Sequence, residues 1–362
     1  MAKRLLIAAG GTGGHMFPAR ATADALIARG WQVQLVTDAR GARHATGFPG
    51  SPVKVIEASS PFVKNPVKLP GALMKLGKGL GQSRKLMAEF KPDVVAGFGG
   101  YPAFPALAAA RLAGIAFIIH EQNAVLGRVN RVFARGAAAV ASGFDRLDRV
   151  SPRALHIVTG NPVRASILDA CDTPYRAPAP GGEIRLLVLG GSLGARILST
   201  IVPTAIAQLP EDLRARLKVT QQAREEDIHQ VRETYAAAGV EATLSPFFED
   251  MGALYADAHL VISRAGASSV SEIAATGRPA IFVPLAIAMD DHQTANAHSL
   301  MREGAAESVP ERDLTPERLC EHLARLLGDG EALQKRAEAA RALGKPDAHD
   351  RLADLIDSVS ET

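Results

Sequence analysis

Residues 4–14 read RLLIAAGGTGG, and residues 185–194 read RLLVLGGSLG. In both stretches a short apolar run ends in glycines, a pattern typical of a buried parallel strand that turns tightly into a helix. The two glycine pairs are 180 residues apart, which is about the length of one domain. We therefore predict two Rossmann-like domains in tandem, with a chance likeness between two such turns as the alternative.

The rest of the chain alternates between strand-like and helix-like patterns. Strand-like apolar runs occupy residues 32–37, 53–57, 94–97, 117–120, 138–141, 218–221, 242–244, 260–263 and 280–283, and helix-like stretches occupy residues 18–29, 102–113, 128–135, 269–276, 293–303, 317–328, 331–343 and 348–358. This alternation predicts an α/β fold with doubly wound parallel sheets. We place the first domain at residues 1–162 and the second at 163–344. Whether a last helix, about residues 345–362, packs back on the first domain is left open.

Composition narrows the class of protein. The 362 residues carry 41 basic and 38 acidic side chains, and a net charge of +3 argues against a nucleic-acid binder. A hydrophobic fraction of 47% is ordinary for a soluble globular protein. Cys171 and Cys320 lack the spacing of a metal or redox site, so no disulfide framework is expected. The apolar run at residues 5–9 is too short for a signal peptide, and no run reaches the roughly 20 residues of a membrane span, which indicates the cytoplasm.

Two glycine-rich loops suit phosphate groups. Residues 10–15 (GGTGGH) join a strand to a helix, where glycines let a backbone approach a phosphate and the helix N-terminus favours an anion. A dinucleotide fingerprint would need Gly or Ala where Met16 stands, so a ribose contact by Asp38 is a minor alternative, as is a merely structural turn. The second loop, residues 190–194, adds the hydroxyl of Ser192.

A third strand-to-helix turn lies at residues 263–272 (SRAGASSVSE). Ser268 or Ser269 is expected to cap the helix, and the free N–H groups of its first turn suit a diphosphate. Glu272 has two interpretations. It either accepts hydrogen bonds from ribose hydroxyls or belongs to a capping box.

Two polar clusters follow apolar strands. Residues 120–123 (HEQN) stand at the carboxyl end of a predicted parallel strand, where open α/β sheets bind ligands, although a structural network is the alternative. Residues 290–293 (DDHQ) resemble a metal site superficially. Because no other cluster of ligands supports a metal, contacts to sugar hydroxyls are preferred.

A basic segment runs through residues 64–91. It carries seven Lys or Arg side chains against the single acidic Glu89, with leucines interleaved among them. This pattern is typical of binding to a membrane surface, and a solvated helix face explains it equally well.

Taken in chain order, these motifs resemble those of the MurG glycosyltransferases of bacterial peptidoglycan synthesis, over essentially the whole chain. The resemblance rests on residues 10–18 (GGTGGHMFP), 97–102 (GFGGYP), 120–123 (HEQN), 159–164 (TGNPVR), 190–196 (GGSLGAR) and 266–272 (GASSVSE). It implies the two-domain GT-B fold, with the domains facing a cleft. It also implies transfer of N-acetylglucosamine from UDP-N-acetylglucosamine to the 4-hydroxyl of the muramoyl unit on undecaprenyl-diphosphate, with inversion.

The resemblance also implies site residues. Donor contacts carried over to this sequence are Thr12, Gly13, Gly14, Asn123, Arg164, Ser192, Phe248, Ala267, Ser268, Ser269, Val270, Ser271, Glu272 and Gln293. The chain departs from the family pattern at Phe248, where an aliphatic residue is usual, at Leu193, where Gln is common, and at residues 221–223 (QQA). These departures affect details of donor contact rather than the reaction.

An inverting transfer needs a base for the acceptor hydroxyl and positive groups for the leaving diphosphate. We take His15 as the base and Glu121 as the reserve. Arg164, Ser192 and the helix near Ser269 would stabilise the leaving group without a metal or another cofactor. The expected partners are the two substrates, an anionic membrane surface and cell-wall synthesis proteins, with no nucleic acid.

The expected location is the cytoplasmic face of the bacterial inner membrane, as a peripheral protein with a role in cell shape and division. A nucleotide-sugar-binding protein without catalysis, a nicotinamide-dependent oxidoreductase and a glycosyltransferase that modifies antibiotics or lipids are the alternatives.

Overall fold

The computed structural model describes residues 2–11, 13–60, 62, 65–191 and 194–361. Two compact units make up the chain. Unit 1 comprises Met1–Arg164 together with Asp347–Thr362, and unit 2 comprises Ala165–Pro346.

Unit 1 is built on a parallel sheet. Its strands, within the described residues, are β1 (Arg4–Ala9), β2 (Gln32–Thr37), β3 (Ser51–Val55), β4 (Val94–Gly99), β5 (Ala116–Glu121), β6 (Ala139–Ser142) and β7 (His156–Val158). They pair in the order β3-β2-β1-β4-β5-β6-β7, so the direction of winding reverses between β1 and β4. In open α/β sheets, ligands bind outside the carboxyl ends of the strands at such a reversal.

Helices cover both faces of this sheet. They are α1 (Gly13–Ala28), α2 (Ala39–Ala42), α3 (Leu69–Phe90), α4 (Ala103–Ala113) and α5 (Arg128–Phe133). Because successive strand residues point to opposite faces, Leu5 and Ile7 pack in the core beneath α1, whereas Leu6 and Ala8 pack in the core beneath α4. Each face therefore has its own apolar core.

Unit 2 repeats the plan with a smaller parallel sheet. Its strands, within the described residues, are β8 (Ile184–Leu189), β9 (Leu217–Gln222), β10 (Glu241–Ser245), β11 (Leu260–Ser263), β12 (Ala280–Phe282) and β13 (Ala306–Ser308), and its helices are α6 (Ala165–Cys171), α7 (Arg196–Ala207), α8 (Glu211–Arg214), α9 (Glu225–Ala237), α10 (Met251–Asp257), α11 (Ala267–Thr276), α12 (His292–Met301), α13 (Pro316–Leu327) and α14 (Gly330–Leu343). The order is β10-β9-β8-β11-β12-β13, with the reversal between β8 and β11.

The C-terminal helix, α15 (Ala348–Val359), belongs to unit 1 although all of unit 2 precedes it. It lies on α1 and buries Ile356 in the core of unit 1. The indole Nε1 of Trp31 donates a hydrogen bond to Asp357 at 2.9 Å, and the Arg29 guanidinium contacts several carboxylates of the same helix. Apolar burial and these ion pairs fix the helix to unit 1.

The two parallel sheets confirm the predicted α/β class with two Rossmann-like units. The predicted elements differ from the observed ones mainly at their ends, but the helices α6, α7, α9 and α10 were not among the predicted stretches. The helix predicted at residues 18–29 begins five residues earlier, at Gly13, so Pro18 lies inside it rather than at its start. Two glycines are poor helix formers, and here the surrounding fold overrides that preference. The three-residue strands β7 and β13 were not predicted.

Candidate active site

Three sequence motifs meet at the carboxyl ends of neighbouring strands of unit 1. They follow β1, β4 and β5, which lie side by side at the reversal of the sheet. The loops after β1 and β4 touch, since a Cβ on Gly100 would lie 2.6 Å from the carbonyl oxygen of Gly10. Gly100 also has a φ of +79°, which an L side chain rarely adopts. Glycine is therefore required where these loops approach.

His15 lies in the first turn of α1, after Gly13 and Gly14, and is half-buried. Its Nδ1 lies 2.9 Å from Oε1 of Gln122, the residue that follows β5. Gly99, at the end of β4, has a φ of +94°, and a Cβ there would lie 3.1 Å from Cε1 of His15. The absence of a side chain at Gly99 thus leaves room for the imidazole.

Gln122 connects His15 to a second histidine. Both Gln122 and His120 are buried, and the amide nitrogen of Gln122 lies 3.0 Å from Nδ1 of His120. The other ring nitrogen of His120 lies 3.1 Å from the carbonyl oxygen of Gly160. Burial lowers the pKa of His120 to about 4, so this ring is neutral at physiological pH.

Glu121 holds the loop after β5 together. One carboxylate oxygen accepts hydrogen bonds from the backbone and side-chain amides of Asn123, at 3.1 and 3.2 Å. The other accepts from the backbone of Gly127 and the side chain of Asn130, both at 2.8 Å. The carboxylate is buried, with four hydrogen-bond donors around it. This arrangement orders the loop that carries Asn123.

The motif at residues 159–164 leaves β7 in the same unit. The Arg164 guanidinium lies over the ring of Phe17 in α1, with 4.9 Å between its carbon and the ring centroid. Asn161 is buried, and neither polar atom of its side chain hydrogen-bonds to a described residue. A buried amide without protein partners is costly, and an ordered water or a bound ligand would satisfy it.

The glycine loop of unit 2 follows β8. A Cβ on Gly190 would lie 2.5 Å from the backbone nitrogen of Ala195, so only glycine fits. The Gly190 N–H donates to Oε1 of Gln222, at the end of β9, at 3.1 Å. Thr12, Ser192 and Leu193, which were singled out in the two glycine loops, lie outside the described residues.

Helix α11 begins without a side-chain cap. Gly266 is its N-cap residue, so the prediction that Ser268 or Ser269 caps it is wrong. Both serines already lie in the first turn, where backbone N–H groups lack intrahelical partners. The Ser268 hydroxyl is buried without a hydrogen-bond partner among the described residues. This end of α11 is therefore suited to an anion.

Glu272 lies six residues after Gly266, too far along α11 for a capping box, which excludes that interpretation. The residue is 4% exposed, and Oε2 of its side chain accepts a hydrogen bond from the Tyr255 hydroxyl at 3.3 Å. The side chain is thus held in place by α10.

The other residues that were predicted to contact the sugar donor also lie in unit 2. Ala267 and Val270 are buried in α11, and Ser271 is partly buried. Phe248 lies partly buried between β10 and α10. Gln293, in the first turn of α12, accepts a hydrogen bond from the backbone N–H of Leu285 at 2.9 Å.

Two alternative interpretations find no support. Asp38 accepts a hydrogen bond from the N–H of Gly41 at 2.8 Å and caps α2, which explains it without a ribose. Asp291, in the cluster at residues 290–293, accepts from the Thr294 hydroxyl at 2.7 Å. In the described part of the chain, no three His, Cys, Asp or Glu side chains are grouped as a metal site would require.

Sequence reasoning missed the residues that support the site. Gln122 was quoted only as part of a motif, and Tyr255 and Asn296 were not considered. Asn296, fully buried on α12, donates to the carbonyl oxygen of Ala265 at 3.0 Å and so fixes the turn before α11. Neither the residue type nor the local spacing of these side chains distinguishes one that orients a neighbour from any other amide or phenol, so the sequence carried no signal.

Comparison with known proteins identifies one family domain in each half of the chain. The sequence profile of the glycosyltransferase family 28 N-terminal domain matches residues 5–142, and that of the family 28 C-terminal domain matches residues 185–352. The first match covers β1 to β6 of unit 1, and the second covers the sheet of unit 2 and extends into α15.

Individual relatives extend over nearly the whole chain. The UDP-N-acetylglucosamine–N-acetylmuramyl-(pentapeptide) pyrophosphoryl-undecaprenol N-acetylglucosamine transferase of Maricaulis maris (strain MCS10) is 60% identical over 359 residues, covering 99% of this chain and 98% of that protein. The crystal structure of Acinetobacter baumannii MurG has a TM-score of 0.81 and 34% identity, covering 98% of this chain and 99% of that one.

A more distant structure, the glycotransferase of kitacinnamycin, has a TM-score of 0.72 at 19% identity, covering 99% of each chain, and shows the shared fold alone. With both family 28 domains matched and full-length identity of 60% to a curated relative, the chain belongs to the MurG family of glycosyltransferases.

Proposed function

We propose that this glycosyltransferase moves N-acetylglucosamine from UDP-N-acetylglucosamine to the 4-hydroxyl of N-acetylmuramoyl-pentapeptide linked to undecaprenyl diphosphate. The observation that carries the proposal is the 60% identity over 99% of the chain to a transferase named for these substrates. The site geometry supports it, because phosphate-binding turns and polar side chains collect at the carboxyl ends of the strands in both units.

Unit 2 is proposed to bind the nucleotide sugar. The uncapped first turn of α11 offers backbone N–H groups to a diphosphate, and the Ser192 hydroxyl of the glycine loop after β8 is proposed to contact the same group. Glu272, buried and held by Tyr255, is placed to accept hydrogen bonds from ribose hydroxyls. Gln293 contributes contacts to the sugar, and the loop that carries Phe248 contributes contacts to the uracil ring.

Unit 1 is proposed to bind the lipid-linked acceptor and to supply the general base that takes the proton of the acceptor hydroxyl. The acceptor oxygen attacks C1 of the sugar, its proton passes to Nε2 of His15, and the C1–O bond to the diphosphate breaks with its electron pair on UDP. One such displacement inverts the configuration at C1. Arg164 and the first turn of α11 stabilise the negative charge on the leaving group.

The placement of Glu121 argues against its use as the base. Each oxygen of this carboxylate already accepts two hydrogen bonds, from Asn123 on one side and from Gly127 and Asn130 on the other, so the group is occupied in holding its own loop. We therefore assign it the role of ordering the loop that carries Asn123.

Helix α3 is proposed to rest on an anionic membrane surface. The structure resolves its two faces, since Leu76 and Leu86 are buried whereas Leu73 and Met74 are 57% and 72% exposed beside Lys75. Exposed apolar side chains among lysines are typical of interfacial helices. None of the helices in the described residues is long and apolar enough to cross a bilayer.

This surface supports a peripheral location on the cytoplasmic face of the inner membrane. At this membrane surface the enzyme would reach its lipid-linked acceptor. Because the product is a peptidoglycan precursor, we expect loss of the enzyme to disturb cell shape and division, and cell-wall synthesis proteins to be its neighbours.

An assay of UDP release with a soluble short-chain analogue of the acceptor tests the function. We expect release that depends on both substrates and a product that carries a β-1,4-linked N-acetylglucosamine. Donor binding without release would leave a nucleotide-sugar-binding protein. Transfer to other glycosyl acceptors in preference to the muramoyl lipid would indicate an antibiotic- or lipid-modifying enzyme, and NAD binding in calorimetry would revive the oxidoreductase alternative.

A further inference from the structure

Two backbone carbonyl oxygens determine the hydrogen-bond roles of the side chains behind His15. The first belongs to Gly160 and lies 3.1 Å from Nε2 of His120. A carbonyl oxygen can only accept a hydrogen bond, so Nε2 of His120 carries a proton and donates. If the ring is neutral, its Nδ1 must then be an acceptor.

The second carbonyl oxygen is that of His120 itself. The side-chain amide of Gln122 approaches it at 3.1 Å and approaches Nδ1 of the same residue at 3.0 Å. The group that faces a carbonyl oxygen must donate, which identifies it as the NH₂ group of Gln122. Its second hydrogen points to Nδ1 of His120, consistent with a buried ring whose pKa is lowered to about 4.

The amide oxygen of Gln122 therefore faces His15. It lies 2.9 Å from Nδ1, and because this oxygen only accepts, Nδ1 of His15 must carry the proton. We propose that Gln122, held in orientation by His120, is a positioning residue that keeps His15 in its Nδ1-protonated tautomer and leaves the lone pair on Nε2. The inference rests on the base role proposed for His15.

This orientation matters for the reaction because only an unprotonated ring nitrogen can take the acceptor proton. Which nitrogen of a neutral imidazole holds the proton is set by the hydrogen bond that the other nitrogen makes. In a free side chain the Nε2-protonated form predominates, which would leave the wrong nitrogen basic. None of the described residues hydrogen-bonds Nε2 of His15.

The direct test is nitrogen NMR of the full-length protein labelled with ¹⁵N-histidine, since imidazole shifts distinguish protonated from unprotonated nitrogens. At pH 8, with His15→Asn used to assign the signals, we expect His15 to show a protonated Nδ1 and an unprotonated Nε2. A protonated Nε2 in the wild-type protein would overturn the proposal, and this measurement needs no variant of Gln122 to fold.

Two variants of Gln122 extend the test. Gln122→Leu removes the hydrogen bond to His15 and the two to His120, and we expect the His15 tautomer to shift to Nε2–H and kcat to fall about 10- to 100-fold, as when a partner that orients a histidine is lost. Gln122→Glu loses the two hydrogen bonds to His120 but still presents an oxygen to His15, and it should keep Nδ1 protonated. Gln34→Leu is the matched control, because Gln34 is a buried glutamine of the same sheet that contacts Pro52.

A Gln122→Leu protein with an unchanged tautomer, or with the kcat of the control, would contradict the positioning role. A failure of the base role proposed for His15 would give a different pair of results. If His15→Ala retains the wild-type kcat while the wild-type NMR signals show Nδ1–H, the proposed catalytic function of His15 is wrong and the hydrogen-bond assignment stands.

Discussion

Oε1 of Gln122 lies 2.9 Å from Nδ1 of His15, although the two residues are separated by 107 positions in the chain. The contact joins the end of β5 to the first turn of α1 across the reversal point of the unit 1 sheet. Two motifs that read as separate loops in the sequence therefore form a single site.

Loss of the Glu272 carboxylate should weaken donor binding. A hydrogen bond to a charged group contributes about 1.5–3 kcal/mol, so we expect Glu272→Ala to raise the donor KM roughly 10- to 100-fold. Steady-state rates at varied concentrations of UDP-N-acetylglucosamine give this KM. Glu331→Ala, at an exposed glutamate of the same unit, is the control. An unchanged donor KM would leave Glu272 with a structural role only.

Reversing the charge on α3 should release the protein from membranes. Each basic residue near an anionic surface contributes about 1 kcal/mol. Removal of two such residues corresponds to about 30-fold, so we expect Lys75→Glu with Lys78→Glu, which also adds two negative charges, to lower affinity for vesicles of anionic lipid by at least about 30-fold while sparing turnover on a soluble acceptor. Lys218→Glu with Lys335→Glu, at exposed lysines of unit 2, is the matched control. Equal vesicle binding by both double variants would make α3 an ordinary solvated face.

The buried His120 should make unit 1 sensitive to acid. Burial lowers its pKa from 6.5 to about 4, so between these values the unfolded chain binds a proton that the folded protein does not. The free energy of unfolding should be unaffected above pH 6.5 and should fall by up to about 3 kcal/mol as the pH drops to 4.

The single tryptophan, Trp31, is buried in unit 1, so its fluorescence follows the unfolding of that unit in denaturant. Comparison of pH 7 with pH 4.5 measures the effect. His120→Gln should have a shallower loss of stability, whereas His44→Ala, at an exposed histidine, should behave as wild type. Equal losses of stability in the wild type, His120→Gln and His44→Ala would contradict the assignment of this pH dependence to His120.

Chelation should leave the reaction intact. Arg164 and the first turn of α11 are proposed to carry the charge of the leaving diphosphate, so turnover should not change when EDTA is added. Rates with and without chelator, after dialysis, provide the measurement. Loss of activity that Mg²⁺ or Mn²⁺ restores would mean that a metal stabilises the leaving group.

The sequence was sufficient for the class of fold and for most strands, because short apolar runs that end in glycine or polar residues and alternate with helix-like stretches have few other interpretations. It failed where local signals were weak or misleading. Pro18 suggested a helix start, yet α1 begins at Gly13, where the fold outweighs helix propensity. The strands β7 and β13 are too short to show a period.

For the site, the sequence pointed to residues of reactive type and missed those that orient them. Tyr255 lies 17 positions from Glu272, and Gln122 lies 107 positions from His15. Such contacts depend on how strands and helices pack, which residue spacing in one sequence does not show.

The central claim is that His15 takes the proton of the acceptor hydroxyl, and the pH dependence of kcat in wild type and His15→Ala tests it most directly. General-base catalysis contributes about 10²–10⁴-fold, so kcat should fall by that order while the donor KM stays nearly unchanged. An imidazole base also produces a loss of rate at acid pH, which the variant should lack. A kcat close to wild type, or a retained acidic limb with a raised acceptor KM, would contradict the claim.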